Sequence, residues 1–469
     1  MTRSPGNKRQ RGRVRRISRP TRDREVVYNV LLEHFHSGRF VSQLLDEASS
    51  AAQLIESRGF CTEITCGVVR RQGTLNHLLQ RVVSRPRNRV ELELWTLLLM
   101  GGYQLVYMTG VPQHAALHTT VELAKRIGRP GWSGFVNGVL RSLARLLTDE
   151  DSTEPSERAI AVRPDAYRLC ADDVFPSPVD EPAAYVARAF SFPVQPIESW
   201  LDSAGFEETV RRAFWFNTPG SMSIRVNLHR CTRDEVLDEL SRSGIVAEPG
   251  ELSEAVTLER SAMVVKLPGY ADGRFTIQDE SAMSAADLLN PQPDHIVLDM
   301  CAAPGTKTTH LAERMCNRGS ILATDIHAQR LASVNENVRR LGIDIVKTQH
   351  LSDIPDDLPQ RQFDGVLVDA PCSNTGVLGK RPEARWRLGR QEVAELVAIQ
   401  QTLMLAAAER VKPGGRLVYS TCSIDPDENQ SVVQWTLQRR PELQLEAERC
   451  FSPGAPADGA YQALLVRAS

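Results

Sequence analysis

No run of apolar residues in this chain reaches the roughly 18 that a membrane-spanning helix needs. The N-terminus is basic, but no apolar stretch follows it, so it does not read as a secretory signal. The nine cysteines include no C-x-x-C pair and no cluster with histidine, which argues against a structural zinc site. With no export signal, they favour reduced thiols in the cytoplasm. No internal repeat is visible, and the net charge is only −2 over 469 residues. What is left is a globular composition, 42% hydrophobic and 24% charged. The chain is too long for one ordinary core, so roughly two to four domains are expected.

The small net charge conceals two lopsided segments. Residues 1–24 carry ten Lys or Arg, among them Arg9, Arg11, Arg13, Arg15 and Arg16, against one acid, Asp23. Residues 149–183 carry ten acids against three Arg. The first is expected to be a disordered basic arm over residues 1–22, able to track phosphates because clustered Arg neutralises backbone charge in any sequence. The second, also rich in Pro and Ser, is expected to be an acidic linker or surface insertion.

Residues 23–148 read as helix throughout. From Leu94 to Val106, apolar residues recur at three- and four-residue steps, as a buried helix face requires. Val111-Pro112 interrupts the pattern, and helices through Val121–Ile127 and Phe135–Leu146 follow. Residues 184–270 mix signals: Ser223–Asn227 and Met263–Leu267 alternate like strands, while Arg233–Ser243 is helical. That segment is expected to be a small α+β subdomain. From 271 to 469 strands and helices alternate. Strands are expected at His295–Met300, Ile321–Asp325, Phe363–Asp369 and Arg416–Ser420, with helices at Ala328–Leu341 and Glu392–Val411. This order predicts an α/β, Rossmann-like domain whose mostly parallel sheet has helices on both faces.

Ligands of such sheets bind beyond the carboxyl ends of the strands. There Asp299 leads into Cys301-Ala302-Ala303-Pro304-Gly305-Thr306-Lys307, whose small residues let a ligand approach the backbone. Asp325 closes the next strand, where a carboxylate can accept both hydroxyls of a ribose or simply cap a helix. Gly305-Thr306-Lys307-Thr308 is not a phosphate loop, because Thr306 precedes the lysine and position 300 is Met. Two further strands end in thiols: Asp369-Ala370-Pro371-Cys372-Ser373 and Tyr419-Ser420-Thr421-Cys422-Ser423. One strand-end cysteine is ordinary packing. Two above the same sheet edge, each followed by Ser and beside an acid, point to covalent chemistry.

On these residues the chain resembles the Sun (Fmu) family of RNA 5-methylcytosine methyltransferases. Asp299–Gly305, Asp369–Ser373, Ser420–Ser423 and Pro426–Asn429 match its catalytic motifs. Ser223–Asn227 and Gln278–Ser281 fit its intervening segment, and Asp458–Ala463 its last strand. Gly101–Leu105, Val111-Pro112 and Phe135–Arg141 are similar to a NusB-type RNA-binding domain. The resemblance implies transfer of a methyl group from S-adenosylmethionine to carbon 5 of a cytosine in RNA. It further implies a monomeric, cytoplasmic enzyme without metal or membrane, with 16S rRNA as its partner. Cys422 would be the nucleophile that adds to carbon 6, making carbon 5 enamine-like. Cys372 would assist release, and Asp369 would hold the cytosine. Cys301 to Lys307, Asp325, Asp353 and Asp369 would line the cofactor site, and Arg225–Asn227 and the NusB-like helices would contact RNA. The family's adenine-contacting acid falls at His350 by count, and at Asp353 only with a shift. Thr306 stands where a second glycine is usual, and Pro382-Glu383 where Pro-Asp is. Two rivals stay open. One is a DNA cytosine methyltransferase, which attacks through the Pro-Cys thiol and needs no Cys422. The other is a NusB-like RNA-binding protein with an inactive methyltransferase platform.

Overall fold

The computed structural model describes residues 19–52, 57–220, 222–259, 264–354, 356–387, 389–454 and 457–468. Arg9 to Arg16 of the basic arm and Met263 lie outside the described residues. The chain divides into two compact units after Ser191.

The first unit opens with seven α-helices: α1 (Arg19–Ser37), α2 (Val41–Ala52), α3 (Arg58–Arg70), α4 (Gln72–Val82), α5 (Leu92–Tyr107), α6 (Gln113–Ile127) and α7 (Trp132–Leu146). Every residue of α5 from Leu94 to Val106 is buried, so this helix is apolar on all sides rather than along one stripe. Helices α1, α3, α4, α6 and α7 pack around it. Because α1 begins at Arg19, the basic arm ends earlier than the expected residue 22.

Residues 149–183 are not a linker. β1 (Leu147–Ser152), β2 (Ala159–Arg163) and β3 (Ala166–Cys170) form an antiparallel sheet in the order β1-β3-β2, followed by α8 (Pro182–Phe190). Asp149, Glu150 and Asp151 are exposed, whereas Ala159, Ile160, Ala161, Tyr167 and Cys170 are buried. Arg71 of α4's N-cap donates to the carbonyls of Ala161 (3.0 Å) and Val162 (3.3 Å). The apolar runs here are short, and the density of acids around them masked the strand pattern.

The second unit begins with α9 (Val194–Asn217, bent at Gly205), β4 (Met222–Val226), α10 (Arg233–Arg242), β5 (Ala247–Pro249), β6 (Ala255–Leu258) and β7 (Phe275–Ile277). The strands form one antiparallel sheet in the order β5-β6-β4-β7. The α+β segment therefore differs from its expected 184–270 span at both ends. Helix α8 belongs to the first unit, and β7 lies past residue 270, where Phe275 pairs with Val226. Val264–Lys266 is a 3-10 turn rather than a strand.

The remainder is α11 (Glu280–Leu289), β8 (Ile296–Met300), α12 (Thr306–Arg314), β9 (Ser320–Asp325), α13 (Ala328–Leu341), β10 (Val346–His350), β11 (Phe363–Asp369), α14 (Arg390–Arg410), β12 (Val411–Thr421), α15 (Gln430–Arg439), β13 (Leu443–Phe451) and β14 (Ala460–Arg467). The seven-stranded sheet has the order β10-β9-β8-β11-β12-β14-β13. The first five strands are parallel, and β14 runs antiparallel to both its neighbours. Alternate residues feed two cores: Leu298, Val366, Val368, Leu417 and Tyr419 on one face, and Val297, Leu367 and Val418 on the other. Burial on both faces explains why these strands read as continuous apolar runs. After β8 the chain builds outward to β9 and β10, then returns to place β11 on β8's other side. The loops leaving β8 and β11 therefore diverge and open a crevice.

Candidate active site

Across that crevice, Lys307 in the first turn of α12 donates from Nζ to Asp369 Oδ1 at the end of β11 (2.7 Å). Burial works against the Lys307 ammonium, but Asp369 more than offsets it and holds its pKa above the ordinary lysine value. Gly305 sits at φ 97°, and a Cβ there would stand 3.0 Å from Val334 Cα, so the tight exit from β8 needs glycine. Asp325 is buried and braces this loop, accepting from the amides of Ala303 (3.2 Å) and His327 (2.8 Å). Asp299 lies beneath the loop and accepts from Thr308 Oγ1 (2.6 Å). Burial pushes its carboxyl up to about 7, and the nearby charges of Asp369 and Asp325 add to the rise. Burial, then Asp325 and Asp369, also push the Cys301 thiol well up. A thiol held protonated is a poor nucleophile.

The other two thiols meet. Cys372 Sγ and Cys422 Sγ are 3.3 Å apart, just beyond the ends of the neighbouring strands β11 and β12. Their surroundings differ. The hydrogen bond from Cys372 lowers the pKa of Cys422; burial opposes this, and Arg381 and Lys307 reinforce it. The same contact, then burial, the Cys422 charge and Glu428, push Cys372 far up. Of the two thiols, Cys422 is therefore the more readily ionised.

Glu428 holds both cysteine loops in place. It is fully buried and accepts from the Ser373 amide (2.8 Å), Ser373 Oγ, Ser423 Oγ (2.6 Å) and Gln400 Nε2 (3.0 Å). A buried carboxylate is tolerable only when hydrogen-bonded in this way. The Ser after each cysteine thus has one shared purpose. Gly376 brings a third segment in: a Cβ there would lie 2.0 Å from the Gly459 carbonyl oxygen and 2.9 Å from that of Cys422.

The sequence-derived residues are thus placed as follows. Cys301 to Lys307, Asp325 and Asp369 border the crevice, and Cys372 and Cys422 stand beside it. His350 is Asp325's partner in the β9–β10 register, whereas Asp353 occupies the exposed turn beyond β10. Arg225 and Asn227 do not face RNA. Arg225 is buried and donates to Glu313 (2.9 Å), Thr309 Oγ1 (3.0 Å) and the Thr306 carbonyl (2.8 Å). Asn227 donates to the carbonyls of Gly273 (3.3 Å) and Leu341 (3.4 Å). Donors satisfied inside the protein are not available to phosphates; these two tie β4 to α12 and α13. Sequence reasoning did not assign Glu428, Asn374 or Arg381 a role. The Pro426–Asn429 motif and the repeated Cys-Ser pair were the signals that could have led to Glu428.

Residues 286–465 match the family described as 16S rRNA methyltransferase RsmB/F. Residues 197–265 match a ferredoxin-like domain of RsmF/B-like methyltransferases, and residues 21–145 match the NusB family. The chain is 32% identical over 424 residues to the "Probable ribosomal RNA small subunit methyltransferase B" of Bacillus subtilis, covering 90% of this chain and 89% of that one. It is 35% identical over 441 residues to ribosomal RNA small subunit methyltransferase B of Yersinia pestis, covering 90% and 95%. Among solved structures, the crystal structure of the protein PH0851 matches with a TM-score of 0.76 at 25% identity, covering 95% of this chain and 98% of that one.

Proposed function

Because the chain belongs to the RsmB/F family of 16S rRNA methyltransferases, we propose that it modifies a cytosine of 16S rRNA with Cys422 as nucleophile, Cys372 as the releasing group, and Asp369 with Lys307 holding the base. As a member of that family it transfers a methyl group from S-adenosylmethionine to carbon 5 of cytosine in ribosomal RNA. The observation that carries the residue assignment is the unequal thiol pair, 3.3 Å apart, with the lower pKa on Cys422.

Lys307 occupies Asp369 Oδ1, so the contact with the cytosine amine falls to Oδ2. The Lys307 charge faces the electron density that addition at carbon 6 pushes into the ring. When Cys422 becomes a thioether, its hydrogen bond and charge no longer hold the Cys372 proton. Cys372 thus becomes more acidic in the adduct, gives its proton to solvent, and as a thiolate can take the proton that leaves carbon 5.

The crevice residues fit S-adenosylmethionine. Cys301 to Thr306 offer backbone with little bulk, and Asp299 Oδ1 is buried without a hydrogen-bond partner. Asp325 and Asp369 supply negative charge for a cationic ligand. When bound, the cofactor supplies a methyl carbon activated by its positive sulfur. Asp325 is proposed to hold the ribose, with His350, its neighbour in register, on the adenine side rather than Asp353. Asp325→Ala should weaken cofactor binding by ~1.5–3 kcal/mol, the value of hydrogen bonds to a charged group. Calorimetric titration checks this, and an unchanged dissociation constant would remove Asp325 from the site.

The free thiols that the mechanism requires favour a reducing compartment, and a cytoplasmic enzyme is proposed. No described helix is long and apolar enough to cross a membrane. A monomer is proposed. RNA contact is also proposed for the basic arm. Deleting residues 1–18, up to the start of α1, should flatten the salt dependence of RNA binding by roughly 0.7 in log–log slope per lost phosphate contact. Equal slopes for the full and shortened proteins would leave the arm without a role in binding.

A further inference from the structure

The loop that leaves β11 carries two residues that these roles leave unused. Asn374 takes a left-handed backbone (φ 61°) and touches both cysteine loops. Its Nδ2 donates to the Cys372 carbonyl (2.8 Å), and its Oδ1 accepts from Cys422 Sγ (3.3 Å). The same Oδ1 accepts from Arg381 Nη1 (2.9 Å), and the Arg381 amide is pinned to the Val377 carbonyl (2.9 Å). The guanidinium is thus held next to a side chain that itself contacts the Cys422 sulfur.

We propose that Arg381, anchored through Asn374, is a positioning residue that keeps a fixed positive charge beside Cys422 and so maintains its thiolate. The proposal rests on Cys422 being the nucleophile. The charged and titratable groups that face this sulfur are Cys372 and Asp369 at the end of β11, Lys307 on α12, and Arg381. Lys307 and Asp369 are paired with each other at 2.7 Å and largely cancel at the thiol. Arg381 adds a further positive charge that acts on this sulfur. Once the Cys422 proton leaves, Asn374 Oδ1 faces a negative sulfur. The Arg381 hydrogen bond to that oxygen then draws electron density away from it.

The test is the pH dependence of Cys422 alkylation by iodoacetamide in the full-length protein without RNA, read peptide by peptide by mass spectrometry. An opposite charge in this range shifts a pKa by about one unit at the low end, as suits an exposed arginine. Arg381→Met should therefore slow Cys422 alkylation about tenfold at pH 7 and regain the full rate at high pH. Arg381→Lys, which keeps the charge, should stay within about twofold of the parent. Methylation by Arg381→Met should lose kcat at pH 7 with an unchanged KM for RNA, and recover as the pH rises. Superimposable alkylation profiles for Arg381→Met and the parent would overturn the proposal. So would Arg381→Lys failing as badly as Arg381→Met. A rise in KM at every pH would instead make Arg381 a phosphate contact. Failure of the nucleophile assignment would show separately, as RNA adducts formed by Cys422→Ala.

Discussion

Asp369→Asn is expected to slow single-turnover methyl transfer by about 10²–10⁴-fold, the usual range for loss of a positioned acid–base group. The substitution keeps the shape of the side chain but removes the charge that Lys307 Nζ meets at 2.7 Å. It also turns one oxygen that could accept from the cytosine amine into a donor. The Lys307 side chain is 13% exposed and that of Asp369 34%, so part of the pair's attraction is already screened by solvent. The stability cost should therefore fall below the ~3–5 kcal/mol of breaking a fully buried pair. A large loss of rate with a modest loss of stability is the expected signature. Lys307→Met should fall to a similar rate, and the double variant should fall little further, because groups that act as a unit are not additive. Rapid-quench assays at saturating cofactor would decide it. A rate for Asp369→Asn within a few-fold of the parent would reduce the carboxylate to a brace for Lys307.

The catalytic half was largely legible in the sequence. Phe363–Asp369 is a strand with those same limits, and the helix expected at Ala328–Leu341 is α13. Such strands, buried on both faces, leave an apolar run that polar neighbours cannot disguise. The cysteine loops were legible because small residues and proline at strand ends are hard to explain by packing alone. Three things were not legible. The sheet β1-β3-β2 was hidden because its acids outnumber its short apolar runs. Arg225 was expected to contact RNA, but an arginine in a strand cannot be told from a buried latch until Glu313 is seen beside it. Glu428 lies in the Pro426–Asn429 motif, but its bridge between the two cysteine loops, like the contact of Asn374 with Cys422, forms only when segments far apart in sequence converge.

The proposed mechanism divides its labour between the two thiols. If Cys422 is the group that adds to carbon 6, Cys422→Ala should neither methylate RNA nor bind it covalently. Cys372→Ala keeps the attacking sulfur and should still form the adduct and transfer one methyl group. It then lacks the base for the carbon 5 proton and should stall with RNA attached. The two substitutions are chemically identical at sites 3.3 Å apart, so general damage to the fold does not predict opposite behaviour. Loss of turnover in both would show little for the same reason. The decisive measurement is denaturing gel electrophoresis of each variant after incubation with S-adenosylmethionine and labelled 16S rRNA. A protein–RNA band with Cys372→Ala, and none with Cys422→Ala or the double variant, is the predicted result. A band with Cys422→Ala and none with Cys372→Ala would contradict it, making Cys372 the nucleophile.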